Sequence, residues 1–163
     1  MAFILFISFV IALRISELFL SKRNEIWLTG HGAIEYGQKH YPFIVMLHVF
    51  FFVSLIVEYT VRDKGSFSIA LLIFYFILVA VKGWVVFSLG KFWNTKIYHI
   101  PGRASIKKGL YKFIKHPNYL IVILEIAVIP LIFQLYYTAI VFTVLNSMVL
   151  YVRIKEENKV LSI

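Results

Sequence analysis

Apolar residues fill five stretches of this chain, and polar residues collect between those stretches rather than alternating with them. The first runs over Ala2–Leu20 and is interrupted by Arg14 and Glu17; Pro42–Tyr59 and Phe67–Leu89 follow, then Asn118–Phe133 and Tyr136–Val152. Continuous apolar runs of this length predict helices in lipid. A spanning helix needs about 20 residues and at least about 17, so the last two are marginal spans. Only Gln134 and Leu135 separate them, which predicts a helical hairpin. Pro130 lacks an amide hydrogen and is expected to kink or end the fourth helix. The expected fold is an all-α integral membrane protein of about five transmembrane helices. It forms one domain over residues 1–163, with three helices in 1–89 and the hairpin in 90–163.

Composition agrees with the pattern. The chain has 163 residues, 61% of them hydrophobic and 18% aromatic, and 15% are charged, where a soluble domain carries about 25%. The absence of cysteine excludes disulfides, thiolate metal sites and thiol catalysis. A cleaved signal peptide fits poorly, because Met1-Ala-Phe-Ile4 carries no charge and Leu18-Phe-Leu-Ser21 offers no cleavage site.

A net charge of +9 invites a nucleic-acid reading until the cations are placed. Lys22, Arg23, Lys39, Lys91, Lys96, Arg103, Lys107, Lys108, Lys112, Lys115, Arg153, Lys155 and Lys159 fall in segments that an alternating topology puts on one side. Arg62 and Lys64 fall on the other, beside Asp63, and only Arg14 and Lys82 lie within spans. The positive-inside rule then puts the N-terminus outside and the C-terminus in the cytoplasm. The cations are accounted for by membrane topology and anionic lipid, and no nucleic-acid partner is expected.

Two polar segments are not demanded by insertion. In Lys115-His-Pro-Asn-Tyr119, Pro117 suits a helix start and Tyr119 an interfacial aromatic belt, but neither accounts for His116. Glu125 lies two turns further on, where a carboxylate marks either a site or a buried pair. Arg153-Ile-Lys-Glu-Glu157 puts Arg153 and Glu157 on one helix face, where they can simply pair, and adds adjacent carboxylates to a basic face. Arg14 and Glu17 share a face too and read as a structural pair, with Lys82 or Glu58 as further partners. The five histidines show no His-x-x-x-His repeat, so no metal site is expected. No glycine-rich phosphate loop or nucleophile elbow is present, and Gly102 and Gly109 read as turn residues.

Gly109-x-Tyr111-x-x-x-Lys115-His116-Pro117-x-Tyr119, then a hairpin and Arg153-x-x-Glu156-Glu157-x-x-x-Leu161, resembles the isoprenylcysteine carboxyl methyltransferase (ICMT) family. Phe92-Trp93-Asn94-Thr95 belongs to the same match. Upstream, Arg14-x-x-Glu17-Leu18, Arg23-Asn24, Gly32-Ala33-x-Glu35 and His40-Tyr41-Pro42 look like its short bacterial branch. The motif is shared with phospholipid methyltransferases and, distantly, with sterol reductases. Two departures stand out: Lys115 replaces an arginine, losing the bidentate fork, and Ile121 stands where glycine is common.

The resemblance implies a bacterial membrane enzyme, with residues 90–163 as its catalytic half, that binds S-adenosylmethionine from the cytoplasm and methylates a lipophilic acceptor. It would yield S-adenosylhomocysteine. By the resemblance Tyr111, His116, Pro117, Asn118, Tyr119 and Glu157 would hold the cofactor, with the strip Arg103-Ala104-Ser105-Ile106 beside them. Arg153 would face the acceptor, and Glu156 or His116 would be the base that a hydroxyl acceptor requires. The acceptor would be a prenylated carboxylate or a lipid-tailed small molecule. O-methylation of long-chain alkylpyrone-type polyketides and phospholipid amine methylation are the enzyme alternatives; a transporter subunit or non-catalytic membrane partner is the alternative from another class.

Overall fold

The computed structural model describes residues 1–62, 66–103 and 106–160; Asp63, Lys64, Ala104, Ser105 and Leu161 fall outside the described residues. Among these, five α-helices carry the chain: α1 (Ala2–Gly30), α2 (Tyr41–Val61), α3 (Ile69–Leu89), α4 (Pro117–Ile132) and α5 (Tyr136–Val160). Two short strands, β1 (Ile34–Tyr36) and β2 (Ile97–His99), pair antiparallel with Ile34 opposite His99. Strands this short sit below the length at which alternation of side chains is legible in sequence.

Four helices are long and apolar enough to cross a membrane, and α4, at 16 residues, is shorter. A helix of that length reaches only about 24 Å, against a hydrocarbon core of about 30 Å. Its burial explains why this is tolerated. Nine α4 residues are buried, against two in α2. α4 packs on α3 and α5, while α2 packs on α5 and turns Phe43, Phe50 and Val57 outward. An apolar exterior around a partly polar interior is the arrangement lipid selects.

The hairpin forms as expected. α4 ends at Ile132, just past Pro130, and Gln134 turns the chain with a left-handed φ of 59°. One helix end differs from expectation: α1 runs on to Gly30 rather than stopping at Leu20, with Ser21 and Asn24 buried and Lys22 paired to Glu25 at 3.0 Å. α5 runs on to Val160, past the apolar run that ends at Val152, and the Arg153–Glu157 segment is helical as its spacing implies. In both, the loss of hydrophobicity marks the end of the apolar zone and not the end of the helix.

Glu125 resolves as a buried pair. Arg14 Nη2 reaches Glu125 Oε2 at 2.8 Å and Arg14 Nη1 reaches Glu17 Oε2 at 3.0 Å. Lys82 Nζ lies 2.6 Å from Glu17 Oε1 and 3.1 Å from Glu125 Oε2. Two cations meet two carboxylates, which ties α1, α3 and α4 together without net charge. Glu58 takes no part: its carboxylate accepts from the backbone N–H groups of Tyr137 (3.2 Å) and Thr138 (2.8 Å), capping the start of α5. Ile121 is 4% exposed, so the core accommodates the larger side chain where glycine was the expected residue.

Candidate functional site

α4 begins at Pro117 with His116 just before it, and this sets Tyr119 in the first turn, pointing at the last turns of α5. Arg153 Nε donates to Tyr119 Oη at 2.8 Å, and Tyr119 Oη donates to Glu157. Arg153 and Glu157 share one face of α5 and meet through the tyrosine hydroxyl between them. His116 completes the cluster: one ring nitrogen lies 3.1 Å from Asn158 Oδ1 and the other 3.6 Å from Glu157 Oε2.

A third wall comes from the segment after α3. Arg153 Nη2 donates to the Thr95 carbonyl. Thr95 is fixed by α1, since its amide donates to Ser21 Oγ at 3.0 Å, and Asn94 Nδ2 donates to Ser21 O at 2.9 Å. Asn24 Nδ2 donates to the Trp93 carbonyl at 2.7 Å. The buried polar residues that prolong α1 beyond Leu20 are therefore the ones that hold the site's wall. Gly109, the first residue of the motif, has φ 54°, and a Cβ there would run into Ser88 Oγ on α3. Only glycine lets the Gly109–Lys112 turn approach α3 so closely.

Two cavities border this cluster, one at Glu157 and the other at Tyr119 and Arg153. The first, of about 560 Å³, is polar and is lined by Phe92, Arg103, Ile106, Tyr111, Lys115 and Glu157 among others. Burial, and then the charge of Glu157, raise the Tyr111 phenol, so it stays a neutral donor. The second, of about 480 Å³, is an apolar groove between α1 and α2. Ile11, Arg14, Ile15 and Leu18 form one wall, and Ile44, Val45, His48, Val49, Phe52, Val53 and Ile56 form the other, each a stripe at helical spacing. Beyond it Phe3 stacks on Tyr59 at 3.7 Å and joins α1 to α2. The groove's inner end is Trp93, Thr95, Asn118, Tyr119 and Arg153. Outside the spans, burial and then the hydrogen bond to Glu35 raise the Tyr98 phenol, which donates to that carboxylate at 3.0 Å. Lys96 bridges Glu25 and Glu35, and so fastens the small sheet to α1.

Of the residues singled out in the sequence, His116, Tyr119, Arg153 and Glu157 come together. Arg103, Ile106 and Tyr111 line the polar cavity, and Ala104 and Ser105 lie outside the described residues. Pro117 is buried at the helix start. Asn118 and Tyr119 line the apolar groove rather than the polar cavity. Glu156 stands apart, its side chain 33% exposed and paired with Lys159 at 2.7 Å, beside a shallow cleft near His40. Ser21, Asn24 and Trp93 were not singled out as site residues; the only trace of the first two was polarity at the end of an apolar run.

The family model for the isoprenylcysteine carboxyl methyltransferase (ICMT) family matches residues 69–163. The chain is 45% identical over 161 residues to the uncharacterized protein YpbQ of Bacillus subtilis, covering 98% of this chain and 96% of that one. It is 31% identical over 159 residues to an uncharacterized protein of Haemophilus influenzae, covering 94% and 91%. No solved structure matches.

Proposed function

Because the chain belongs to the isoprenylcysteine carboxyl methyltransferase family, a family of membrane methyltransferases, we propose that it uses S-adenosylmethionine to methylate a carboxylate or hydroxyl oxygen of a lipid-tailed acceptor. One observation carries the reading: a polar cavity of about 560 Å³ lined by Glu157 and an apolar groove of about 480 Å³ lined by Tyr119 and Arg153 are joined by the hydrogen bonds that run from Arg153 through Tyr119 to Glu157. Each is large enough for a small-molecule ligand, for which sites run to roughly 300–1,000 Å³.

The residues of the polar cavity fit the cofactor's chemistry. Glu157 offers a carboxylate to a cationic ligand, Arg103 and Lys115 offer charge to the ligand's own carboxylate, and Phe92 and Phe113 offer apolar faces to a base. S-adenosylmethionine supplies a methyl on a sulfonium, which passes to the acceptor oxygen as the carbon–sulfur bond breaks and neutral S-adenosylhomocysteine remains. The protein's work is to position and to exclude water. Arg153 orients an anionic oxygen and is itself held by Tyr119 and the Thr95 carbonyl. A carboxylate acceptor needs no base. A hydroxyl acceptor would give its proton to His116 or Glu157, which flank Tyr119. The groove lets the tail enter from lipid. The charge asymmetry of the loops supports a site that faces the cytoplasm.

Calorimetric titration of the detergent-purified protein with S-adenosylhomocysteine tests the cofactor half. Binding at micromolar concentration is expected, weakened at least about tenfold in Glu157→Ala and in His116→Ala. No heat at high micromolar concentration from a folded sample would sink the proposal.

A further inference from the structure

Two residues that line the groove each carry a buried polar atom that no described residue satisfies. Trp93 is 2% exposed, yet its indole Nε1–H is buried without a hydrogen-bond partner, as is Asn118 Oδ1. Both residues line the groove beside Tyr119 and Arg153. A buried polar atom left unpaired costs on the order of 1–3 kcal/mol, and nearly all such atoms in folded proteins are paired. Phenylalanine would fill much of the indole's space without that cost, so packing does not account for the N–H. The position is also well held. The Trp93 carbonyl accepts from Asn24 at 2.7 Å, and its amide donates to the Gly90 carbonyl at 3.1 Å. Trp93 therefore lines the groove from a backbone anchored to α1, with its N–H buried at the groove's inner end.

Resting on the reading of this groove as the acceptor site, we infer that Trp93 Nε1–H and Asn118 Oδ1 select the acceptor's head group. The donor calls for a carbonyl oxygen that is not itself methylated. The Asn118 oxygen calls for a neighbouring O–H or N–H. Arg153 adds a fixed charge for the oxygen that receives the methyl. Together they describe an acidic head that keeps a C=O after methylation and carries a hydroxyl or amide N–H beside it, on an apolar tail. A long-chain alcohol has a single oxygen, which cannot both take the methyl beside Arg153 and accept from the indole N–H, and amine head groups set a second cation against Arg153. Buried groups left unpaired are what make such a site reject the wrong ligand.

The test uses the full chain in nanodiscs with S-adenosylhomocysteine, reading displacement of a fluorescent fatty acid. The probes are N-hexadecanoylglycine, hexadecanoate and 1-hexadecanol, expected to bind in that order from tightest to weakest. Trp93→Phe should weaken hexadecanoate about tenfold and leave 1-hexadecanol unchanged. Asn118→Leu should abolish the advantage of N-hexadecanoylglycine over hexadecanoate. Equal hexadecanoate affinity in the wild type and Trp93→Phe overturns the selection by Trp93 and leaves the groove reading intact. Failure of all three probes to displace overturns the groove reading itself. If Trp93→Phe does not fold, Asn118→Leu decides, and an unchanged ratio of the two acids overturns the inference.

Discussion

Arg14 and Arg153 are both guanidinium groups held inside an apolar bundle, and their surroundings differ in one respect. Arg14 sits in a closed set: Glu17 and Glu125 take its hydrogen bonds, Lys82 bridges the same two carboxylates, and the charges cancel. Among the described residues, no carboxylate is in direct contact with Arg153. It donates to a phenol and to a backbone carbonyl, both neutral, and the nearest acid of its cluster, Glu157, lies on the far side of Tyr119. A cation whose partners are neutral keeps its charge available to a ligand, and a cation bound by carboxylates does not. The first arrangement builds the bundle and the second leaves chemistry undone. The same distinction separates the two glutamates that looked alike in the sequence: Glu125 is 2% exposed and fully paired, whereas Glu157 opens onto the polar cavity.

The largest effect that would test this contrast is on stability. Glu125→Ala removes one of the two carboxylates that hold Arg14 and Lys82, and leaves both cations to share Glu17 with one charge uncompensated. Loss of one partner from such a buried set costs about 3–5 kcal/mol, so thermal unfolding in detergent should shift down by many degrees. Adding Lys82→Met restores charge balance and should recover part of the loss. If Glu125→Ala unfolds like the wild type but loses turnover, the network belongs to the reaction and the contrast fails.

A smaller and opposite effect is expected at the other arginine. Lys at position 153 keeps the charge but cannot hold Tyr119 and the Thr95 carbonyl in the same planar geometry. Methylation of hexadecanoate, followed with labelled S-adenosylmethionine, should fall roughly thirtyfold in kcat/KM, about 2 kcal/mol. Binding of S-adenosylhomocysteine should hold, because Arg153 lines the groove and not the polar cavity. Loss of cofactor affinity equal to the loss of rate would instead make Arg153 part of the cofactor site.

Much of this arrangement is legible in the sequence, and what is missing has physical causes. Long apolar runs announce helices in lipid, and the Gln134-Leu135 break announces the hairpin, because both are local signals. The polar residues that follow Leu20 read in sequence as the end of α1, and those that follow Val152 as surface charge on a helix. Ser21, Asn24 and Arg153 are instead buried side chains whose partners lie more than 30 residues away, and no window of sequence contains those pairs. Asn118 and Tyr119 read in sequence as residues of the cofactor pocket; both line the apolar groove instead, and Tyr119 reaches Glu157 only through its hydroxyl. Trp93 gave no signal beyond its place in a motif, since an unpaired indole N–H exists only once the fold has buried it.

The smallest effect is expected at Glu156, and it is the most direct check on how the last turn of α5 is set. Glu156 and Glu157 are adjacent, so the helix sends them to different faces: one to Lys159 and a shallow cleft by His40, the other to Tyr119 and the polar cavity. Glu156→Gln should therefore leave turnover within about twofold of wild type, as expected for an exposed ion pair. Glu157→Gln under the same assay should fall by at least about tenfold, because it loses the charge that lines the polar cavity. If the two results are exchanged, the face that α5 presents to the reaction is the one bearing Glu156. The neutral-partnered Arg153 would then have its carboxylate neighbour after all, in Glu156, and a proton acceptor for a hydroxyl substrate would come with it.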